Sequence, residues 1–242
     1  MTTASRLTWL VCIGILIGAS GQDPFTAARL RLLDEIRRDA AATADATGRP
    51  AFSRRLMMAM ELVPRHRFVP PSQIAQAYQN RPLPIGHGQT ISQPYIVALM
   101  TELLDTEAGD VVLEVGTGSG YQAAVLAKLV RQVYTMEIIA PLATGAATRL
   151  ATLGYTNVEV RTADGYYGWP EHGPYDGILV TAAANSIPPP LIAQLKPGGR
   201  MLIPVGAPFH TQDLILLEKD TRGSIRSRSI LPVAFVPLTG AH

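Results

Sequence analysis

Between residues 111 and 206 the chain alternates short β-branched apolar runs with stretches of helical periodicity. VVLEV (111–115) reads as a strand, YQAAVLAKLV (121–130) as a helix and QVYTMEI (132–138) as a strand. PLATGAATRLATLG (141–154) then reads as a helix, and VEVRTADG (158–165) and YDGILVTAA (175–183) as strands. A helix over 190–199 and a strand over 200–206 complete the run. Such alternation specifies an α/β fold: a doubly wound, mostly parallel sheet with helices on both faces. Two further strands, 214–218 and 229–236, flank a polar turn at Arg222-Gly223-Ser224 and are expected to form an antiparallel hairpin at the sheet edge.

The first strand runs into Glu114-Val-Gly116-Thr-Gly118-Ser-Gly120 and then a helix. Ligands of open α/β sheets bind outside the carboxyl ends of the strands, where the strand order reverses. A dinucleotide fingerprint requires G-x-G-x-x-G, and here the third glycine comes one residue early. A G-x-G-x-G loop suits S-adenosylmethionine (SAM), a nucleoside without a pyrophosphate. Glu137 ends the next strand, where a carboxylate can accept from both ribose hydroxyls. Asp164-Gly165 ends the third, where Asp can accept from an adenine amine. Each of these acids could equally be a helix cap or turn residue; the placement of Glu114, Glu137 and Asp164 at successive strand ends favours a nucleoside site. No phosphate loop or nucleophile elbow is present, and the five histidines lack paired ligand spacing, so no metal is expected.

Upstream, residues 22–82 read as a helical segment packed on the core (83–242). Asp23-Pro24 looks like a helix start, followed by an apolar face of Phe25, Leu32, Leu33 and Ile36. Residues 40–50 read as a fraying end and turn. Phe52, Leu56, Met60 and Val63 predict a second helix, stopped by Pro64. The connector Arg65-His66-Arg67 reads as a solvated basic face. LPIGHGQTISQ (83–93) reads as a loop, and Ser92-Gln93-Pro94 opens a helix with Ile96, Met100, Leu103 and Leu104 on its apolar face.

Residues 1–21 carry Arg6, an uncharged apolar run (LTWLVCIGILI) and then Gly18, Ala19, Ser20 and Gly21. That order is the pattern of a secretory signal, with cleavage before Gln22, and the run is shorter than the ~20 residues of a membrane span. Export to the periplasm is therefore expected; a cytoplasmic location is the alternative, since SAM is normally a cytosolic cofactor. The only cysteine, Cys12, lies in this segment, so an internal disulfide is excluded. A formal net charge of +2 provides no electrostatic case for nucleic acid.

The chain resembles the protein-L-isoaspartate O-methyltransferase family from residue 83 to 206, and again at Val236-Pro237-Leu238-Thr239. The most specific block is Gly88-Gln89-Thr90-Ile91-Ser92-Gln93-Pro94; residues 114–121, 162–165, 175–183 and 195–206 also match. The resemblance implies a Rossmann-like methyltransferase fold with a seven-stranded sheet and SAM as cofactor. It implies isoaspartyl-containing proteins and peptides as partners, methylated on the free α-carboxylate so that the ester closes to a succinimide and repair begins. Ser92 falls on the family's active-site serine, with Thr90 beside it on the substrate side. Gln89, Glu137, Ile138, Asp164, Gly165 and Thr239 fall on cofactor- or substrate-contacting positions; Glu114, Gly116, Gly118 and Gly120 are read as cofactor-binding from the glycine loop itself. Ile139 departs from the charged residue common in bacterial members, and the export-like segment departs from the cytosolic ones. A SAM-dependent transfer to a small-molecule acceptor is the alternative activity. On residue type alone, Ser92 is also a good helix N-cap. Tyr166, Tyr167 and Trp169 either flank the adenine or pack under a turn.

Overall fold

The computed structural model describes residues 23–241; the signal-like segment lies outside them. The N-terminal segment forms α1 (Thr26–Ala42), α2 (Ala44–Thr47) and α3 (Arg54–Leu62). Helix continues past residue 40, where a fraying end was expected, and stops at Gly48, which takes the left-handed conformation that L-residues with a Cβ avoid. Ser53 caps α3, its hydroxyl accepting from the Leu56 N–H at 3.3 Å. Phe25 lies before α1 and stacks on His66 at 4.1 Å, so the buried face of the helix is Leu32, Leu33, Ile36 and Ala40. The basic connector is a 3-10 turn, Arg65–Phe68, and only part of it is solvated: Arg67 is exposed, whereas Arg65 is completely buried.

Residues 83–91, read as part of a loop, form a hairpin. β1 (Leu83–Gly86) pairs antiparallel with β2 (Gln89–Ile91). His87 and Gly88 form the turn, both at positive φ (53° and 71°), the geometry whose twist matches paired strands. α4 (Pro94–Leu104) follows and is buried along nearly its whole length.

The main sheet comprises β3 (Val111–Val115), β4 (Gln132–Glu137), β5 (Val158–Thr162), β6 (Tyr175–Val180), β7 (Leu195–Val205), β8 (Gln212–Lys219) and β9 (Ile225–Val233). Their order is β5-β4-β3-β6-β7-β8-β9. β3 to β7 are parallel, and β8 and β9 add antiparallel as the expected edge hairpin. The connecting helices are α5 (Tyr121–Ala127), α6 (Ala140–Thr152) and α7 (Pro189–Ala193). α7 ends well before residue 199, because the chain from Leu195 already pairs with β6. Tyr175 faces Leu195 but Gly177 faces Arg200, so Lys196-Pro197-Gly198-Gly199 bulges out of the strand instead of ending a helix.

Side-chain alternation divides the core. Val112, Val133, Leu179 and Leu202 point to the face covered by α1, α3, α4 and α5. Leu113, Val115, Ile178, Val180 and Met201 point to the other, which holds Leu191 of α7 and Trp169. From β3 the chain builds outward through β4 and β5, then crosses back to β6 on the opposite side. The strand order thus reverses between β3 and β6, and a crevice opens at their carboxyl ends. After β9 the chain returns to this crevice. Ala183 N–H donates to the Val236 carbonyl at 2.8 Å, and Leu238 N–H to the Ala183 carbonyl at 2.7 Å.

Candidate active site

The glycine loop leaves β3 and folds back over the end of β4. Gly116 and Thr117 N–H groups both donate to the Met136 carbonyl, at 2.8 and 3.0 Å. Gly116 sits at φ 100°, and a Cβ there would lie 2.3 Å from the Thr181 hydroxyl, which donates to the Gly116 carbonyl at 2.6 Å. Only glycine permits this approach of the loop to the end of β6. Glu137 accepts from Gly118 N–H at 2.8 Å and from Ile139 N–H at 3.0 Å. One carboxylate therefore fixes the loop tip while facing the crevice, with lone pairs left for further donors.

Glu114 takes a different place. It is fully buried below the loop and does not line the crevice. Thr135 Oγ1 donates to its Oε2 at 2.5 Å, and the Thr117 hydroxyl lies 2.7 Å from Thr135 Oγ1, so Glu114 anchors the loop through two threonines. Its Oε1 has no partner among the described residues. Burial pushes the carboxyl up to about 8, opposed by the Thr135 bond and aided by the charge of Glu137. Gly120 also stands back, against Leu150 and Ala146. Asp164 caps a 3-10 turn (Gly165–Tyr167), accepting from Tyr166 N–H at 3.0 Å, and also accepts from Ala241 N–H at 3.1 Å. Its neighbour Gly165 reaches the crevice wall. Trp169 is buried against Tyr134 and His172 on the far face of the sheet, the packing alternative for that aromatic group.

The crevice, solvent mouth included, encloses about 750 Å³, within the range of small-ligand sites. Gln89, Thr90 and Ser92 from the hairpin face Gly116 and Gly118, with Glu137, Ile138, Gly165 and Thr239 around the rim. Among the lining residues Glu137 is the only Asp, Glu, Lys or Arg. A pyrophosphate would find no cation there, whereas a sulfonium nucleoside carrying an ammonium group finds a carboxylate for its hydroxyls and no repelling charge. A second cavity adjoins the first, lined by Pro82, Ile96, Thr211, Pro232 and Phe235 among others. The two share Thr90, Ser92, Thr181 and Val236 as a common wall.

Ser92 is not the helix cap. Gln93 occupies the N-cap position, makes no side-chain cap bond, and is followed by Pro94 in the first turn. The Ser92 hydroxyl, with no hydrogen bond among the described residues, belongs to the shared wall. Thr181 joins it there and Thr211 lines the second cavity beyond it; neither was singled out from sequence. The signal for Thr181 was its place at a strand's carboxyl end, where the sheet rule directs attention. Among the described residues no His, Cys, Asp and Glu group is arranged to hold a metal, and no helix is long and apolar enough to cross a membrane.

A reversed parallel sheet, a G-x-G-x-G loop and a cation-free nucleoside cleft define a SAM-dependent methyltransferase of the Rossmann-like class. The comparisons narrow the class. The family profile described as protein-L-isoaspartate(D-aspartate) O-methyltransferase matches residues 45–242. The chain is 59% identical to protein-L-isoaspartate O-methyltransferase 2 of Syntrophobacter fumaroxidans, over the whole of both chains. It is 65% identical to protein-L-isoaspartate O-methyltransferase 2 of Polaromonas sp., over 86% of this chain and 99% of that one. A solved protein-L-isoaspartate O-methyltransferase is similar with a TM-score of 0.76 at 28% identity, covering 88% of this chain and 66% of that one. The chain belongs to the protein-L-isoaspartate(D-aspartate) O-methyltransferase family.

Proposed function

We propose that the chain transfers a methyl group from SAM to the free α-carboxylate of isoaspartyl residues in damaged proteins and peptides. The observation that carries this reading is the wall of hydroxyls shared by two cavities, with no histidine or cation lining either and Glu137 of the first cavity as the one carboxylate. The acceptor carboxyl has a pKa of ~4 and is ionised near pH 7, so no proton has to be removed. When bound, SAM supplies an electrophilic methyl on a sulfonium. An anion and a cation combine and charge disappears in the transition state, so alignment and exclusion of water do most of the catalysis. Glu137 accepts from the ribose hydroxyls, and the glycine loop lets the backbone close on the cofactor. Ser92, with Thr90 beside it, would donate to the acceptor carboxylate and orient one of its oxygens toward the donor. The acceptor cavity offers hydroxyls and apolar side chains, which suit a peptide of varied sequence. The backbone amide nitrogen of the following residue then displaces methanol from the ester to close a succinimide, and water opens this partly to normal aspartate. Incubation of an isoaspartyl peptide with SAM and the protein is expected to convert it progressively to the aspartyl form on chromatography. Persistence of the isoaspartyl form would contradict repair.

We further propose that residues 1–21 direct export, on the charge–apolar–small order of that segment. Mass spectrometry of the mature protein in cell fractions is expected to find a periplasmic chain beginning at Gln22; an intact Met1 in the cytosol would contradict it.

A further inference from the structure

Arg65 is a fully buried arginine with no ion-pair partner among the described residues. Its Nε donates to the Ala77 carbonyl at 2.8 Å and its Nη2 reaches the Arg81 carbonyl at 3.4 Å. Its Nη1 has no partner among the described residues. The guanidinium carbon lies 4.9 Å from the centre of the Tyr121 ring. Burial lowers its pKa to about 10, so it remains charged at neutral pH. A buried charge without a carboxylate partner carries a desolvation cost that two carbonyl bonds and a ring contact offset only in part. Fold stability alone therefore gives little reason for an arginine here.

Its contacts supply one. Arg81 lies two residues before β1, whose hairpin carries Thr90, and Ser92 just beyond it, to the acceptor side. Tyr121 opens α5 directly after the glycine loop and lines the donor cleft; its hydroxyl donates to Met60 Sδ of α3 at 4.0 Å. A single planar group thus grips the backbone entering one half of the site and the ring that begins the other. We propose that Arg65 is a positioning residue for methyl transfer, fixing the acceptor hairpin in register with the donor loop. The proposal rests on the methyl-transfer reading above. In-line displacement tolerates little misplacement, and about 1 Å can cost on the order of a hundredfold in rate. The rigid fork and the cation–π contact are properties that lysine reproduces only in part.

The test compares Arg65→Met, Arg65→Lys, Tyr121→Leu and the Arg65→Met/Tyr121→Leu double variant. Four quantities are read: kcat, KM for an isoaspartyl peptide, Kd for S-adenosylhomocysteine by calorimetry, and melting temperature. Arg65→Met is expected to lower kcat by about tenfold or more, with KM, Kd and melting temperature little changed. Arg65→Lys is expected to recover part of kcat, and the double variant to be no slower than the worse single one. Wild-type kcat in Arg65→Met overturns the proposal. So does a loss in which KM, Kd and melting temperature worsen together, or losses that multiply independently in the double variant. If Arg65→Met does not fold, Arg65→Lys decides: a lower kcat at unchanged Kd supports the role, and unchanged kcat overturns it. Amide hydrogen exchange gives a readout independent of activity. Substitution at Arg65 should speed exchange at Ile91 and at Gly120 together while leaving α6 protected; unaltered exchange at both overturns the proposal. A wild-type protein that binds S-adenosylhomocysteine but methylates no isoaspartyl peptide counts against the functional reading instead, and the exchange result then judges Arg65 alone.

Discussion

Ser92 lies one position before the N-cap of α4, so its hydroxyl is not engaged as a cap. A Ser-Gln-Pro sequence allows a cap at either Ser92 or Gln93; the fold places Pro94 in the first turn after Gln93, which local sequence could not decide. Ser92→Ala therefore removes no cap. Its melting temperature is expected to stay near wild type while turnover falls by about tenfold to a hundredfold, as alignment of the acceptor is lost. Normal turnover would remove Ser92 from the mechanism, and a lowered melting temperature with normal specific activity would restore the cap. Glu114 makes a different prediction. Its strand-end position was legible in the sequence, but its depth was not, because burial depends on Thr135 and Thr117 arriving from other segments. The folded carboxyl titrates near 8 and the unfolded one in the ordinary range near 4.3, so the folded state binds the proton more tightly. Its contribution to stability is full below the unfolded value, falls as pH rises between the two, and levels off above about 8. Denaturant titrations from pH 5 to 8.5 should show wild type losing stability relative to Glu114→Gln as pH rises; parallel profiles would contradict the raised pKa.

The β1–β2 hairpin brings Thr90, with Ser92 just beyond it, to the wall that the two cavities share. In sequence its two glycines and two hydroxyls resemble a loop, and its strands are too short for period-2 alternation to register. The turn signal is the Gly88 position, where φ is 71°. A β-branched residue there costs roughly 1–2 kcal/mol of local strain. Gly88→Val is expected to reduce isoaspartyl methylation several-fold more than it weakens S-adenosylhomocysteine binding, as read by kinetics and calorimetry on one preparation. Equal losses would mean that the hairpin serves the cofactor alone. The bulge at residues 196–199 shows the opposite limit. Pro197-Gly198-Gly199 reads as a break by every local rule, yet pairing with β6 carries the strand across it. β3 and α5 were legible because an apolar run and burial coincide there, whereas β9 lies at Ile225–Val233 rather than 229–236 because its first half is exposed and carries no apolar run.

At the scale of the molecule, alternation alone specifies the doubly wound sheet, and the reversal between β3 and β6 determines where the cleft opens. What alternation does not contain is the return of residues 236–239 to that cleft, a contact between distant segments made by backbone pairing with Ala183. Near-neutral charge acquires a meaning once the lining is known: the site needs no excess of cations, because its donor is itself cationic and its acceptor anion meets hydroxyls. The most direct test of this account is the initial rate of labelled methyl transfer from SAM to an isoaspartyl peptide and to its aspartyl twin of identical sequence. The account predicts label on the isoaspartyl peptide, lost on mild base as an ester, and little or none on the twin. Equal labelling of the two, or no labelling of the isoaspartyl form, would contradict it.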